Sequence, residues 1–245
     1  MTTDFRIDDI IRQTLMLFRQ GRVAFLSAIF LASAVSIIGD WLYETLTGRE
    51  APVFNAGALL IAMLLSAYVT AMALQLLRGT PAVEREAWLM VRRRLPSVLG
   101  ASLVAGMLMT LGVLLLVIPA LYMMCRWLVS TAAILDEDRA WQSGMQRSAW
   151  LTEGLKWRLL PVCLAYLGAI FLAATAVAVV VSAILSPEVA RTTSLVRSSV
   201  TLAFLANFAM TWLSAMGSIG QAILYRRLVA LRGPMPAPGP STPPL

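Results

Sequence analysis

Residues 112–127 read GVLLLVIPALYMMCRW, inside an apolar run from about residue 98 to 135 broken only by Pro119, Arg126 and a few small or weakly polar residues. A membrane-crossing helix needs about 20 apolar residues, so the run is long enough for two. Pro119 is the break, because proline removes a backbone donor and its ring collides with the preceding turn. The stretch predicts a tight helical hairpin with Gly112 and Pro119 at its turn and its tip near Ile118-Pro119. Arg126 falls about two turns inside the second arm, a permanent charge in a membrane segment.

The rest of the chain has the same character. Hydrophobic residues make up 59% of the 245, the composition of a polytopic membrane protein. The net charge is +7, but the basic residues lie between apolar segments rather than on one soluble face, so nucleic acid is excluded as a partner. Histidine is absent, which removes imidazole acid–base chemistry and histidine-ligated metals. Cys125 and Cys163 both fall inside apolar segments and read as buried free thiols. No metal and no cofactor is expected.

The fold class read from this pattern is all-α. Six transmembrane helices are predicted at about 23–46, 54–77, 96–117, 119–135, 159–185 and 199–225, within a membrane domain spanning 23–232. Residues 1–22 precede it as an amphipathic segment. Ile7, Ile10, Ile11, Thr14 and Phe18 share one helical arc, with Asp8, Arg12 and Arg19 opposite, which suits a helix lying in the headgroup region. A cleaved leader is not expected, since the segment is long and holds Asp4, Asp8 and Asp9. In span one, Ala24, Ala28, Ala32 and Ser36 form a small-residue stripe at spacing four that would let another backbone approach. Thr80 and Pro81 open a short basic helix over 81–95, containing Trp88 and Arg92-Arg93-Arg94, and Pro96 opens span three. Residues 139–158 predict another interfacial helix, with Trp141, Met145, Leu151 and Leu155 on one face and Arg147 projecting elsewhere. Its membrane anchors are Trp141, Arg147, Trp150, Trp157 and Arg158. Residues 233–245, GPMPAPGPSTPPL, are Pro-rich and expected to be disordered.

Arginine and lysine counts orient the spans. Sixteen of the 20 basic residues lie before span one, between spans two and three, between four and five, and after six; the alternate loops hold only Arg49, Arg191 and Arg197. Six spans with both termini cytoplasmic satisfy this bias, and an odd number breaks it. Each pair of spans follows a basic, partly amphipathic segment (5–22, 81–95, 139–158), an architectural repeat of interfacial helix plus hairpin.

An intramembrane arginine is costly unless it is paired or snorkels. At 1.5 Å per residue, Arg126 lies about 10 Å from the outer end of span four, Asp40 about 6–9 Å from that of span one, and Asn207 about 12 Å from the start of span six. A polar cluster of Arg126, Asp40 and Asn207 is one reading; Arg126 snorkelling alone is the other.

The stretch 112–127, followed by QRSAWLTEG at 146–154 and by Trp157-Arg158, resembles the membrane domain of the glycerophosphoryl diester phosphodiesterase family and its stand-alone relatives. Those carry a Gly-Leu-rich run ending in Ile-Pro-Gly-Ile-Tyr, an Arg-Trp soon after, and a cytoplasmic segment rich in Arg-Ser-Trp and Thr-x-Gly. Ala120 stands here in place of the usual glycine. The resemblance covers about 50 residues and implies a stand-alone, multi-pass protein of the bacterial inner membrane. The family's hydrolase chemistry belongs to a separate soluble barrel with histidine and metal-binding carboxylates, for which this chain has neither histidine nor room.

No catalytic residues are expected. The acidic residues within the spans are Asp40 and Glu44, both near an end, and no nucleophile–base pair is visible. The function read from the sequence is that of a non-enzymatic membrane protein that organises or assists envelope lipids or other membrane proteins. Its partners would be anionic headgroups on the cytoplasmic side, and a second copy of the chain or another membrane protein. The alternative is a small transporter or channel with a polar site around Arg126.

Overall fold

The computed structural model describes residues 7–48, 56–115, 117–184 and 195–233. In chain order the described helices are α1 (Ile7–Gln20), α2 (Arg22–Thr47), α3 (Ala56–Leu77), α4 (Glu84–Leu115), α5 (Val117–Trp127), α6 (Ser130–Asp136), α7 (Trp141–Thr152), α8 (Lys156–Ile184) and α9 (Leu195–Arg232). The all-α class holds, with no strand among the described residues. The Pro-rich tail beyond residue 233 lies outside them.

Among the described residues, four helical stretches are long and apolar enough to cross a bilayer: Arg22–Thr47, Leu60–Leu77, Glu84–Gly112 and Lys156–Val177. Their surfaces match that role. On α8, Phe171 and Leu172 are 76% and 72% exposed. Contiguous apolar surface of this kind belongs against lipid tails rather than water.

The core is built where α9 packs along α3 and α2. Phe25 and Ile29 of α2, Val69 and Met72 of α3, and Ile219, Ile223 and Leu228 of α9 are buried together. Lipid supplies no hydrophobic drive for helix association, so close backbone approach and polar contacts must hold the pair. Both are present. Ala67, Ala71 and Ala73 are buried, and the hydroxyls of Ser66 and Ser218 lie 2.9 Å apart across the α3–α9 seam. The buried row is Phe25, Ile29 and Ser33 on α2, continued by Gly21 just before it. The alanine stripe expected at 24, 28 and 32 has the same spacing but lies half-buried beside it.

Helix α1 is docked rather than free. Its main neighbour is α9, against which Ile10 and Thr14 are buried, while Ile11 stays 50% exposed. Phe18 stacks on Phe25 with ring centroids 5.8 Å apart. The expected apolar arc is thus divided between protein and surroundings.

Pro96 does not separate two helices as the sequence suggested. The basic segment and span three form one 32-residue helix, about 48 Å long. Ala87, Val91, Val98 and Ala101 are buried on both sides of the proline, which itself lies on the exposed side. Packing of α3, α6 and α7 along α4 outweighs the one backbone bond that Pro96 forgoes. Pro161 is likewise exposed within α8.

The predicted continuous span over 119–135 is interrupted: α5 ends at Trp127 and α6 begins at Ser130. Helix α4 ends at Leu115 and α5 begins at Val117, so Pro119, expected at the tip, sits in the first turn of α5, where its missing donor costs little. A Cβ placed on Gly112 would come within 3.1 Å of the Ala120 Cα, so glycine is what lets α4 and α5 meet this closely.

Helix α7 is the largest departure from expectation. It packs against α4, α5 and α6, burying Gly144, Met145, Arg147, Ser148, Leu151 and Thr152. A Cβ on Gly144 would overlap Ile134 of α6. Gly144→Ala is therefore expected to lower stability by about 1–3 kcal/mol, measured by thermal unfolding in detergent. Combining it with Ile134→Ala should cost less than the sum of the two single losses. Gly106→Ala, where nothing lies within 4 Å, should be neutral or slightly stabilising.

Candidate functional site

The acidic run Asp136-Glu137-Asp138 ends α6 and gathers the ends of the surrounding helices. Arg78, just past α3, pairs with Asp136 at 2.7 Å. Arg93 and Arg94 near the start of α4 pair with Asp138. Arg147 of α7 places its Nε 2.7 Å from Glu137 Oε1, and Arg139 approaches Oε2 at 2.5 Å. From α9, the Tyr225 hydroxyl donates to Glu137 and Asp136 at 2.9 and 3.1 Å. Arg232 donates to the carbonyls of Trp150 and Glu153. Arg147 is only 3% exposed, which corrects its assignment as an interfacial anchor. A guanidinium can be buried this far only with a carboxylate and further acceptors around it. Glu137 and the Gly233 carbonyl, 3.0 Å from Nη2, provide these, while Nη1 has no hydrogen-bond partner.

Burial raises the proton affinity of Glu137, but donation from Arg147, Arg139 and Tyr225 outweighs it and holds the carboxyl below its ordinary range. Arg94 and Arg93 hold Asp138 down in the same way, with burial opposing. A carboxylate with a depressed folded-state pKa contributes stability above its unfolded value, about 4.3 for glutamate. That contribution is lost as the pH falls through the depressed value.

The other polar residues of α7 serve α5. The break after Trp127 leaves the last α5 carbonyls without helical partners. The Ser148 hydroxyl donates to the Arg126 carbonyl at 2.9 Å, and the Thr152 hydroxyl lies 3.3 Å from the same oxygen while closer, at 3.0 Å, to the Ser148 carbonyl of its own helix. Trp150 sits beneath two guanidinium groups, Arg147 at 4.9 Å and Arg232 at 5.5 Å from the ring centroid. Gly154 adopts φ +71°, which suits glycine, in the turn to α8. The run QRSAWLTEG is thus a docking segment that fixes α7 to its neighbours.

Beside this junction lies a polar pocket of about 260 Å³, lined by Tyr122, Arg126, Gln146, Ala149, Trp150, Glu153 and Lys156. The Lys156 ammonium donates to the Tyr122 hydroxyl oxygen at 2.5 Å and lies 4.1 Å from its ring centroid. An apolar cavity of about 300 Å³ lies between α1, α8 and α9, lined by Ile10, Thr14, Tyr166, Trp212 and Met216 among others. A third cavity, of about 220 Å³, holds Asn207 with Ser36, Thr211 and Ser214.

The expected intramembrane cluster divides accordingly. Arg126 lies in the polar pocket and Asn207 in the third cavity, where it accepts from Thr211 at 3.1 Å. The side chains of Asp40 and Pro119 lie outside the described residues. Of the remaining anchors, Trp141 packs half-buried against Gly100, and Trp157 and Arg158 are exposed, Trp157 by 84%. Cys125 and Cys163 are buried with their sulfurs 3.4 Å apart. Among the described residues, no group of three or more potential ligands gathers for a metal. Glu137, Tyr225, Arg78 and Arg232 were missed from the sequence. The available signal was three consecutive acids in a chain with only 13 acidic residues, followed by a basic segment.

Compared with protein-family models, curated proteins and solved structures, the chain matches none.

The junction yields a direct test. Glu137→Gln leaves Arg147 buried without its counter-charge and should cost about 3 kcal/mol or more, read from the unfolding midpoint in detergent at pH 7. The difference from wild type should shrink as the pH is lowered below about 4. Equal midpoints at pH 7 would remove Glu137 from its central role.

Proposed function

We propose that this chain is a non-enzymatic, multi-pass protein of the bacterial inner membrane that holds or organises envelope lipids, or assists other membrane proteins at them. The observation that carries the reading is the apolar cavity between α1, α8 and α9. Its lining includes Ile11, Leu15 and Trp212, each more than a third exposed, so apolar walls continue from the cavity to the outer surface. A lipid chain fits such a site by the same burial that drives any apolar group from water. The cavity shares no lining residue with the polar pocket or with the one around Asn207. That separation favours lipid holding over transport, which needs a continuous polar path.

Six spans with both termini cytoplasmic remain part of the proposal, as α2, α3, α4, α5 with α6, α8 and α9. The ion pairs support it. They gather the ends of α3, α6 and α9 with the first third of α4 and the middle and end of α7. Gly21, just before α2, lies against Leu76 near the end of α3. The basic segments therefore converge on one end, as the positive-inside rule requires of the cytoplasmic side. The resemblance to the membrane domain of the glycerophosphoryl diester phosphodiesterase family points to the same setting.

Orientation is tested by single cysteines in a Cys125→Ala, Cys163→Ala background. Arg85→Cys and Gln142→Cys, both at exposed positions, should resist an impermeant thiol reagent applied to the outside of cells. Glu50→Cys and Ala190→Cys should react. Labelling of position 142 from outside would overturn the scheme. Lipid holding is tested by native mass spectrometry of the full chain extracted in mild detergent, which should show retained phospholipid. Tyr166→Ala, which removes one wall of the apolar cavity, should reduce it. Lipid-free protein under all extraction conditions would overturn the reading.

A further inference from the structure

We infer that the polar pocket of Tyr122, Arg126, Gln146, Trp150, Glu153 and Lys156 binds a phosphoryl group carrying one negative charge, as in a phosphodiester. This rests on the lipid-holding reading and gives it a headgroup site. The first argument is charge. Arg126 and Lys156 are both half-buried and line one small cavity. Among the described residues, neither has a carboxylate within ion-pair distance; the acidic groups that form such pairs are Asp136, Glu137 and Asp138. Lys156 instead donates to a neutral oxygen, the Tyr122 hydroxyl, at 2.5 Å, and Arg126 lines the same cavity. Elsewhere at this end of the molecule Arg94, Arg139 and Arg147 each have an acid, and the half-buried Arg232 is met by the carbonyls of Trp150 and Glu153. In the pocket, two cations line one small cavity with neither arrangement.

The second argument is the donor set. A guanidinium offers two parallel N–H bonds to phosphate oxygens, and an ammonium adds a mobile point charge. Tyr122 and Gln146 bring a hydroxyl and an amide to the same cavity. Glu153 sets the charge selectivity. With Arg126 and Lys156 it leaves the pocket with one net positive charge, which matches a phosphodiester monoanion better than a dianionic phosphate monoester.

The third argument is placement and size. Lys156 is the first residue of α8, so the pocket opens where a crossing helix begins, beside the exposed Trp157. Aromatic residues of that kind mark the membrane–water boundary, the level at which headgroup phosphates lie. A volume of about 260 Å³ is below the range of roughly 300–1,000 Å³ typical of drug-sized ligands, so it suits a headgroup and leaves acyl chains outside.

The test uses the full chain in zwitterionic detergent. Thermal unfolding is followed with added phosphatidylglycerol, with diacylglycerol lacking a phosphate, and with inorganic phosphate. Wild type should be stabilised by phosphatidylglycerol and not by diacylglycerol. Arg126→Gln and Lys156→Gln should each weaken the apparent affinity about tenfold, while unfolding near the wild-type temperature without ligand. Glu153→Gln should tighten binding and shift preference towards inorganic phosphate, a gain that misfolding cannot mimic. If inorganic phosphate stabilises wild type and the cation variants abolish this, the site is supported with a soluble source. If phosphatidylglycerol stabilises wild type and all three variants alike, the site is overturned while lipid holding stands. If wild type binds no phospholipid and no phosphate, both fall.

Discussion

The buried guanidinium of Arg147 is the constraint around which one end of the molecule is arranged. Removing an arginine from water costs several kcal/mol unless charge and hydrogen bonds replace its hydration. Here the replacement comes from Glu137 and from the Gly233 carbonyl at the end of α9. Glu137 is in turn held ionised by Arg139 and Tyr225 as well as Arg147. The contacts of these groups tie α6, α7 and α9 together, and the neighbouring Asp136 and Asp138 bring in α3 and α4. Inside the bilayer, helices have little reason to prefer one another over lipid, so a polar junction at the rim can set which helices are neighbours.

The same junction explains why α5 can be short. An 11-residue helix ending inside a bundle exposes carbonyls that neither lipid nor its own turn can satisfy. The α7 hydroxyls of Ser148 and Thr152 meet one of them at Arg126. Docking α7 therefore stabilises the broken helix and, in the same step, frames the pocket where the Arg126 side chain lies. Pocket and junction share Trp150, which carries two guanidinium groups above its ring.

Much of this architecture could be read in the sequence. Length and apolarity located four helices able to cross a bilayer, because the thickness of a bilayer fixes how many residues a helix needs. The close meeting of α4 and α5 was legible from Gly112, whose missing side chain admits Ala120. What escaped was tertiary. Pro96 reads as a boundary, yet buried residues on both sides of it share one packed face and hold α4 together. Arg147 reads as a surface charge, since no local pattern shows that Glu137, ten residues earlier, folds back onto it. Arg126 and Asn207 were aligned by depth alone, and depth does not specify which side of a helix faces which neighbour. The interruption at Leu128-Val129 has no proline or glycine to announce it; the carbonyl it frees at Arg126 accepts from Ser148 on α7, a partner distant in sequence.

The junction also has a temporal consequence. Tyr225 meets Glu137 across 88 residues, Gly233 meets Arg147 across 86, and Arg232 meets Trp150 across 82. Chains are made from the N-terminus onward and inserted as they emerge. Until the end of α9 has left the ribosome, Arg147 lacks the Gly233 carbonyl and Trp150 lacks the Arg232 guanidinium. The polar end shared by α4, α6 and α7 stays unfinished until then, and the last turn of α9 completes it. The final helix acts as a clasp, which makes the C-terminal end of α9 the part of the sequence on which completion of the whole bundle depends.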